Sequence, residues 1–242
     1  GILKPNFGDW TSAETDYDQL IEFLKGTEAQ GFFEKIKKGE FQVVVSTQIV
    51  LPFLRHHNFA LTAVISADAI LNLPDFRSAE RAFRLVHQLA GPQTGQNGSR
   101  KVVVQSFNPD HYSLLWAQKL DYAGFYQEEI KRRQKLGYPP LVRLISVRVE
   151  GGPKSGAGPL AVTIAEGLRS RVPEHSDVSI MGPTIVHLLR MQSNIRWQIL
   201  CKGQDGAMVE ELAKWALNQY AHRGRHSTKA QVSIDVDPIT LL

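Results

Sequence analysis

The feature that most constrains this chain is the order of its apolar runs between Phe41 and Phe107. Phe41-Gln42-Val43-Val44-Val45 reads as a strand buried on both faces, the kind expected in a parallel sheet. Leu61-Thr62-Ala63-Val64-Ile65 is a second strand. Ser78 then stands where it can cap a helix from Ala79 to Leu89, with Phe83, Val86 and Leu89 on one face. Lys101-Val102-Val103-Val104-Gln105-Ser106-Phe107 is a third strand. Strand, crossover, strand, helix, strand is the signature of a wound α/β lobe with a largely parallel sheet. Ser46, Thr47 and Gln48 follow the first strand at its carboxyl end, where open α/β sheets bind ligands.

Around this block the sequence predicts helices. Residues 16–24 and 29–38 space Leu20, Ile21, Leu24 and Phe32, Phe33, Ile36 by three and four positions, and two more helices fit between His111 and Leu136. Gly137 is a natural helix stop, and Tyr138-Pro139-Pro140 cannot continue a helix, so a domain boundary is expected after residue 137. Residues 138–242 read as a small, separate α+β domain. Its strands are expected at 142–149, 197–202 and 231–238, and its helices at 160–171 and 207–220. The loop Gly151 to Pro159 contains Lys154-Ser155 but not the Gly-x-x-x-x-Gly-Lys order of a phosphate-binding loop, so it reads as a turn.

At 242 residues the chain is long enough for two ordinary cores. No apolar run approaches the roughly 20 residues of a membrane helix, and the opening residues lack the apolar core of a signal peptide, so a cytoplasmic protein with no membrane partner is expected. The single cysteine, Cys201, lies in the alternating run Trp197 to Lys202 and reads as a buried structural thiol. His56-His57 has no carboxylate or cysteine at ligand spacing, so no metal or other cofactor is expected.

Charge is unevenly divided. Residues 1–129 hold 12 Lys/Arg against 15 Asp/Glu, whereas residues 130–242 hold 16 against 9. A basic second half points to a polyanionic partner, for which nucleic acid is the common candidate. The cluster Arg132, Arg133 and Lys135, with Lys131 beside it and Arg143 in the next strand, is either a solvated helix face or a phosphate-contacting one. Arg190, Arg196 and Trp197 flank the polar stretch 191–194, as phosphate contacts plus a stacking platform would. The alternation of Trp197 with Ile199 and Cys201 equally suits a core position. Arg223, Arg225 and Lys229 lie in a basic, glycine-broken turn that suits phosphate contact or plain solvent exposure.

With these stretches in hand, the chain resembles the carboxy-terminal part of the PriA family, the primosomal protein N′ of bacterial replication restart. The resemblance runs from about Phe41 to Leu242. It rests on Ser46-Thr47-Gln48; on Ala67-Asp68-Ala69 with Leu73-Pro74-Asp75-Phe76-Arg77-Ser78-Ala79-Glu80-Arg81; on Asp121-Tyr122, Phe125-Tyr126 and Arg132-Arg133 through Pro140; and on Arg196-Trp197-Gln198 with Ser233 to Pro238. It implies that residues 1–137 are the second RecA-like helicase lobe. Residues 138–242 would be the family's C-terminal DNA-binding domain, which looks like a small ribosomal-subunit protein.

The departures from the family pattern bear on activity. The family's fifth helicase motif continues from Gly-Thr-Gln to a Lys-Gly pair, but here Ser46-Thr47-Gln48 runs into Ile49 to His57 without it. Gln88 and Gly91 stand where the sixth motif reads Gln-x-x-Gly-Arg-x-x-Arg, and Pro92, Gly95 and Gln96 follow in place of cations. An arginine that neutralises charge in phosphoryl transfer is worth about 10³–10⁵ in rate. The sequence therefore predicts a lobe that does not hydrolyse ATP, in a protein that recognises forked, branched or single-stranded DNA. As implied by the family, its partners would be the single-stranded-DNA-binding protein and the primosome or helicase-loading proteins. Two readings remain beside it: the C-terminal half of an active ATP-dependent 3′-5′ helicase whose first lobe lies outside this chain, and a protein-interaction module without a DNA role.

Overall fold

The computed structural model describes residues 2, 3, 31, 34–36, 38–41, 43–48, 59–91, 101–186, 195–220 and 230–241. The chain divides into two compact units, Gly1–Leu71 with Arg81–Asp121, and Asn72–Glu80 with Tyr122–Leu242.

In the first unit, β1 (Ile2–Leu3) pairs parallel with β2 (Val43–Val44), and β3 (Leu61–Val64) pairs parallel with β4 (Lys101–Val104) in the register Leu61↔Lys101 to Val64↔Val104. The parallel pairing that the apolar runs predict is present. The described strands nevertheless form two separate pairs and not one wound sheet. Val43 and Val45 are exposed, unlike the both-face burial that their unbroken apolar run suggests. α1 (Asp68–Leu71) follows β3, and α2 (Ser78–Ala90) buries Ala79, Ala82, Phe83, Val86 and Leu89, the face its sequence marks. α3 is Tyr112–Gln118, its first turn capped by the ring of His111. Just past β4, the Asp68 carboxylate accepts bonds from the Ser106 hydroxyl and the Phe107 amide, both at 3.0 Å. Desolvation works against its charge, but these bonds outweigh it and hold the carboxyl below its ordinary value.

The second unit holds α4 (Tyr122–Leu136), β5 (Arg143–Gly151), α5 (Ala157–Arg169), β6 (Ser179–Val186), β7 (Ile195–Gly203), α6 (Gly206–Tyr220) and β8 (Gln231–Val236). α4 ends where predicted, at Gly137 with φ +62°, a conformation that Gly adopts without a Cβ penalty. The four strands lie in the order β6-β7-β5-β8 with every neighbour antiparallel, the split βαβ arrangement. The sequence reading misses β6 because Gly182-Pro183 interrupts it and reads as a turn. Pro is tolerated there because β6 is an edge strand, and its ladder with β7 shifts register between Met181 and Thr184.

One face of this sheet packs on α5 and α6. Ile145, Val147, Val149, Ile199 and Cys201 meet Ala161, Ile164, Ala165 and Leu168 of α5, and Val209, Leu212, Ala213 and Ala216 of α6. Leu144 and Ser146 point the other way and are fully buried too, so the second face also has a cover. Cys201 belongs to the first of these layers, as its alternation predicts. Burial pushes its thiol up to about 12, so at pH 8 the unreactive thiol form predominates. Native protein should leave Ellman's reagent uncoloured over the period in which urea-unfolded protein gives one equivalent. Replacing Leu168, whose side chain is wholly buried against the sheet, by Ala should lower stability by about 2–5 kcal/mol in urea denaturation.

Candidate nucleic-acid interface

The cations singled out in the sequence divide sharply by environment. Arg133 is a structural hub. Its Nε donates to Glu129 at 2.7 Å, its Nη2 to Glu80 at 2.8 Å and its Nη1 to the Pro139 carbonyl at 3.1 Å. The guanidinium also lies 5.3 Å from the centre of the Phe76 ring, which stacks on Tyr138 at 5.1 Å. Burial works against its charge, but the bonds and charges of Glu80 and Glu129 outweigh it and raise its pKa. Its neighbours on α4 face water: Arg132 pairs with Glu128 one turn back at 2.8 Å, and Lys131 and Lys135 are exposed.

The strand cations also meet carboxylates. Arg143 pairs with Asp237 and, at 2.8 Å, with Glu210. The bond and charge of Asp237, then those of Glu210, raise its pKa. Arg196 pairs with Glu150, its direct neighbour across the β5–β7 ladder, and Arg148 reaches Asp235 on β8 at 2.7 Å. Trp197 sits on the helix-covered face, packed against the core. Gly158 is what lets it approach α5, since a Cβ there would stand 3.0 Å from the ring. The alternation reading of Trp197 thus describes its surroundings better than an open stacking platform does.

Arg190, Arg223, Arg225 and Lys229 lie outside the described residues. The residues that flank them are informative. Val186 ends β6 opposite Arg196, Ile195 begins β7 opposite Gly151, and Gln231 begins β8 opposite Glu150. Val186, Ile195 and Gln231 thus lie at one end of the sheet. Ser46, Thr47 and Gln48 are exposed just after β2, and Gln88 and Gly91 are half-buried at the end of α2. Residues 92–100 lie outside the described residues.

A polar connection that the sequence reading does not anticipate crosses the second face of the sheet. Gln198 Nε2 donates to Ser146 Oγ at 3.0 Å and to the Leu241 carbonyl at 3.2 Å. Asp75, itself buried, accepts from Thr240 Oγ1 at 3.0 Å and the Leu241 amide at 3.1 Å. The signal in the sequence is the density of Leu73 to Arg81 in the resemblance, a stretch that the expected boundary after residue 137 leaves in the first domain. The structure instead groups Asn72–Glu80 with the second unit.

The second unit is thus a split βαβ domain with an added helix, a class of fold that hosts many functions and does not by itself choose among them. Comparison with known proteins is more specific. Residues 134–239 match the family model of the primosomal protein N C-terminal domain. The chain is 30% identical over 220 residues to the replication restart protein PriA of Bacillus subtilis, covering 89% of this chain and 27% of that protein. With the PriA of Treponema pallidum it shares 29% over 236 residues, 98% of this chain and 34% of the relative. For Haemophilus influenzae PriA the figures are 25% over 237 residues, 98% and 31%. The chain spans about a quarter to a third of the length of these relatives. Among solved structures a designed protein, Foldit4, aligns with 39% of the chain and 94% of its own length at 12% identity and a TM-score of 0.31, too low to carry an argument.

Residues 134–239 are thus similar to the primosomal protein N C-terminal domain, and the chain as a whole is similar to the C-terminal part of PriA.

Arg133→Ala would leave Glu129 buried without its cation, and the side chains of the pair are only 11% and 9% exposed. Its expected cost is about 3 kcal/mol, measured by chemical denaturation. Lys135→Ala, at the surface of the same helix, should change stability by less than about 0.5 kcal/mol.

Proposed function

We propose that this chain is the C-terminal portion of a replication-restart protein that binds forked, branched or single-stranded DNA and serves as a scaffold without hydrolysing ATP. The match of residues 134–239 to the primosomal C-terminal domain carries the reading. On it, residues 1–137 are a degenerate RecA-like lobe, 138–242 the DNA-binding domain, and Ser46, Thr47, Gln48, Gln88 and Gly91 the remnants of a nucleotide site. The protein acts in the cytoplasm, and its partners are the single-stranded-DNA-binding protein and the proteins that reload the replicative helicase.

The described geometry favours a particular distribution of phosphate contacts within that reading. Arg133, Arg143 and Arg196 have carboxylate partners, and each would have to give up an ion pair to hold a phosphate. Lys135 on α4 is exposed and has no such pair among the described residues. Arg190, Arg223, Arg225 and Lys229 enter the reading from their charge in the sequence alone. Binding through these groups is electrostatic, weakly sequence-specific and steeply dependent on salt.

Fluorescence anisotropy with forked DNA across a salt series tests the DNA role. The chain should show a linear fall of log K with log salt, and Arg223→Ala with Arg225→Ala should make the slope shallower by about 0.9 for each phosphate that is no longer neutralised. A flat or absent response favours a protein-interaction module. The catalytic half of the proposal is tested separately on the complete protein. Absence of DNA-stimulated ATP hydrolysis supports it, and robust hydrolysis overturns it in favour of an active helicase.

A further inference from the structure

The turn Asn72–Glu80 is flanked on both sides by residues of the first unit and yet belongs to the second. Its anchorage has three parts. Glu80 holds Arg133 at 2.8 Å, and Phe76 stacks on Tyr138 with an interplanar angle of 9°. The third part is Asp75, a buried carboxylate that must find hydrogen-bond donors to be tolerated there.

The two oxygens of Asp75 are used for different purposes. Oδ1 accepts the Arg77 amide at 2.9 Å, and the Asp75 carbonyl accepts the Ser78 amide at 3.0 Å, which together set the entry of the chain into α2. Oδ2 accepts the hydroxyl of Thr240 and the amide of Leu241, 165 and 166 residues away in sequence. Leu241 is itself buried, and its carbonyl is held by Gln198 on the sheet. One rigid carboxylate therefore shapes the first turn of α2 with one oxygen and fastens the end of the chain to the sheet with the other. Turning the group to suit one set of donors misaligns it for the other.

We infer that the Asn72–Glu80 turn is a clasp coupling the segment Pro238–Leu241 to the first turn of α2, so that loosening either one loosens the other. The coupling has a direction of consequence, because α2 runs on from the clasp through Gln88 to Ala90. A disturbance of the second face of the C-terminal sheet is in this way passed to the helix that carries Gln88.

Native-state hydrogen exchange on the full chain tests the clasp. The measured amides are those of Ala82 and Phe83, the first that a helix starting at Ser78 can bond internally. Thr240→Val should speed their exchange about fivefold, the factor that one hydrogen bond is worth, while the amides of Ile164 to Leu168 in α5 keep their rate. Thr240→Ser, which retains the hydroxyl, should restore the original exchange at Ala82 and Phe83. Thr240→Val should add little to the effect of the conservative Asp75→Asn change, as coupled groups do. If Thr240→Val alters only residues near 240, or if α5 accelerates as much as α2, the clasp is overturned. Should Asp75→Asn fail to fold, the Val and Ser variants at 240 decide the matter by themselves.

Discussion

Burial of β5 on both faces is the constraint on which the second unit depends. Leu144, Ile145, Ser146 and Val147 are all withdrawn from water, although successive residues of a strand point to opposite sides. Two helices can cover only one side of a four-stranded antiparallel sheet. The other side must be closed by something else, and Ser146 obliges that cover to be partly polar. Gln198 supplies the hydrogen bond and hands on its second one to Leu241, which Asp75 holds in turn. The chain of donors and acceptors leaves the sheet's buried polar atoms paired, which is the condition for burying them at all. The end of the chain and the turn before α2 are thus parts of one structural element.

The same unit shows why formal charge overstates available charge. Residues 130–242 carry a basic excess, yet the arginines of the strands stand beside Glu150, Glu210, Asp235 and Asp237. Arg133 is engaged by two carboxylates and a carbonyl and stabilises the packing of α4 on Phe76 and Tyr138. A long cation that reads in sequence as a phosphate contact can equally be a buried strut, and the choice is made by whether a carboxylate stands within reach. Lysines at the surface of α4 have the opposite character, since a flexible, hydrated ammonium gives up little when it meets a phosphate.

Much of the local structure was legible. The three- and four-residue spacing of Phe83, Val86 and Leu89 gave the buried face of α2, and Gly137 gave the end of α4, because both depend on neighbours within a turn or two. The alternation of Trp197, Ile199 and Cys201 identified one sheet face correctly. Strand β6 and the contacts of Asp75 escaped for opposite reasons. Gly182-Pro183 hid β6, since a local turn signal masks a strand whose free edge tolerates it. Asp75 escaped because its partners, Thr240 and Leu241, are far away in sequence, and no periodicity reports such a pair.

By itself, then, the sequence determined the type and approximate extent of most helices and strands, the structural character of Cys201, and the resemblance of the chain to the C-terminal part of PriA. These follow from residue spacing, from local backbone preferences and from extended ordered motifs. Only the tertiary structure decided the strand order, the cover on the second face, which arginines are matched to carboxylates, and the attachment of Asn72–Glu80 to residues more than a hundred positions later. Each of these is a choice of partner across space, and the energy that fixes it, burial of apolar surface with every polar atom satisfied, exists only once the distant segments have met.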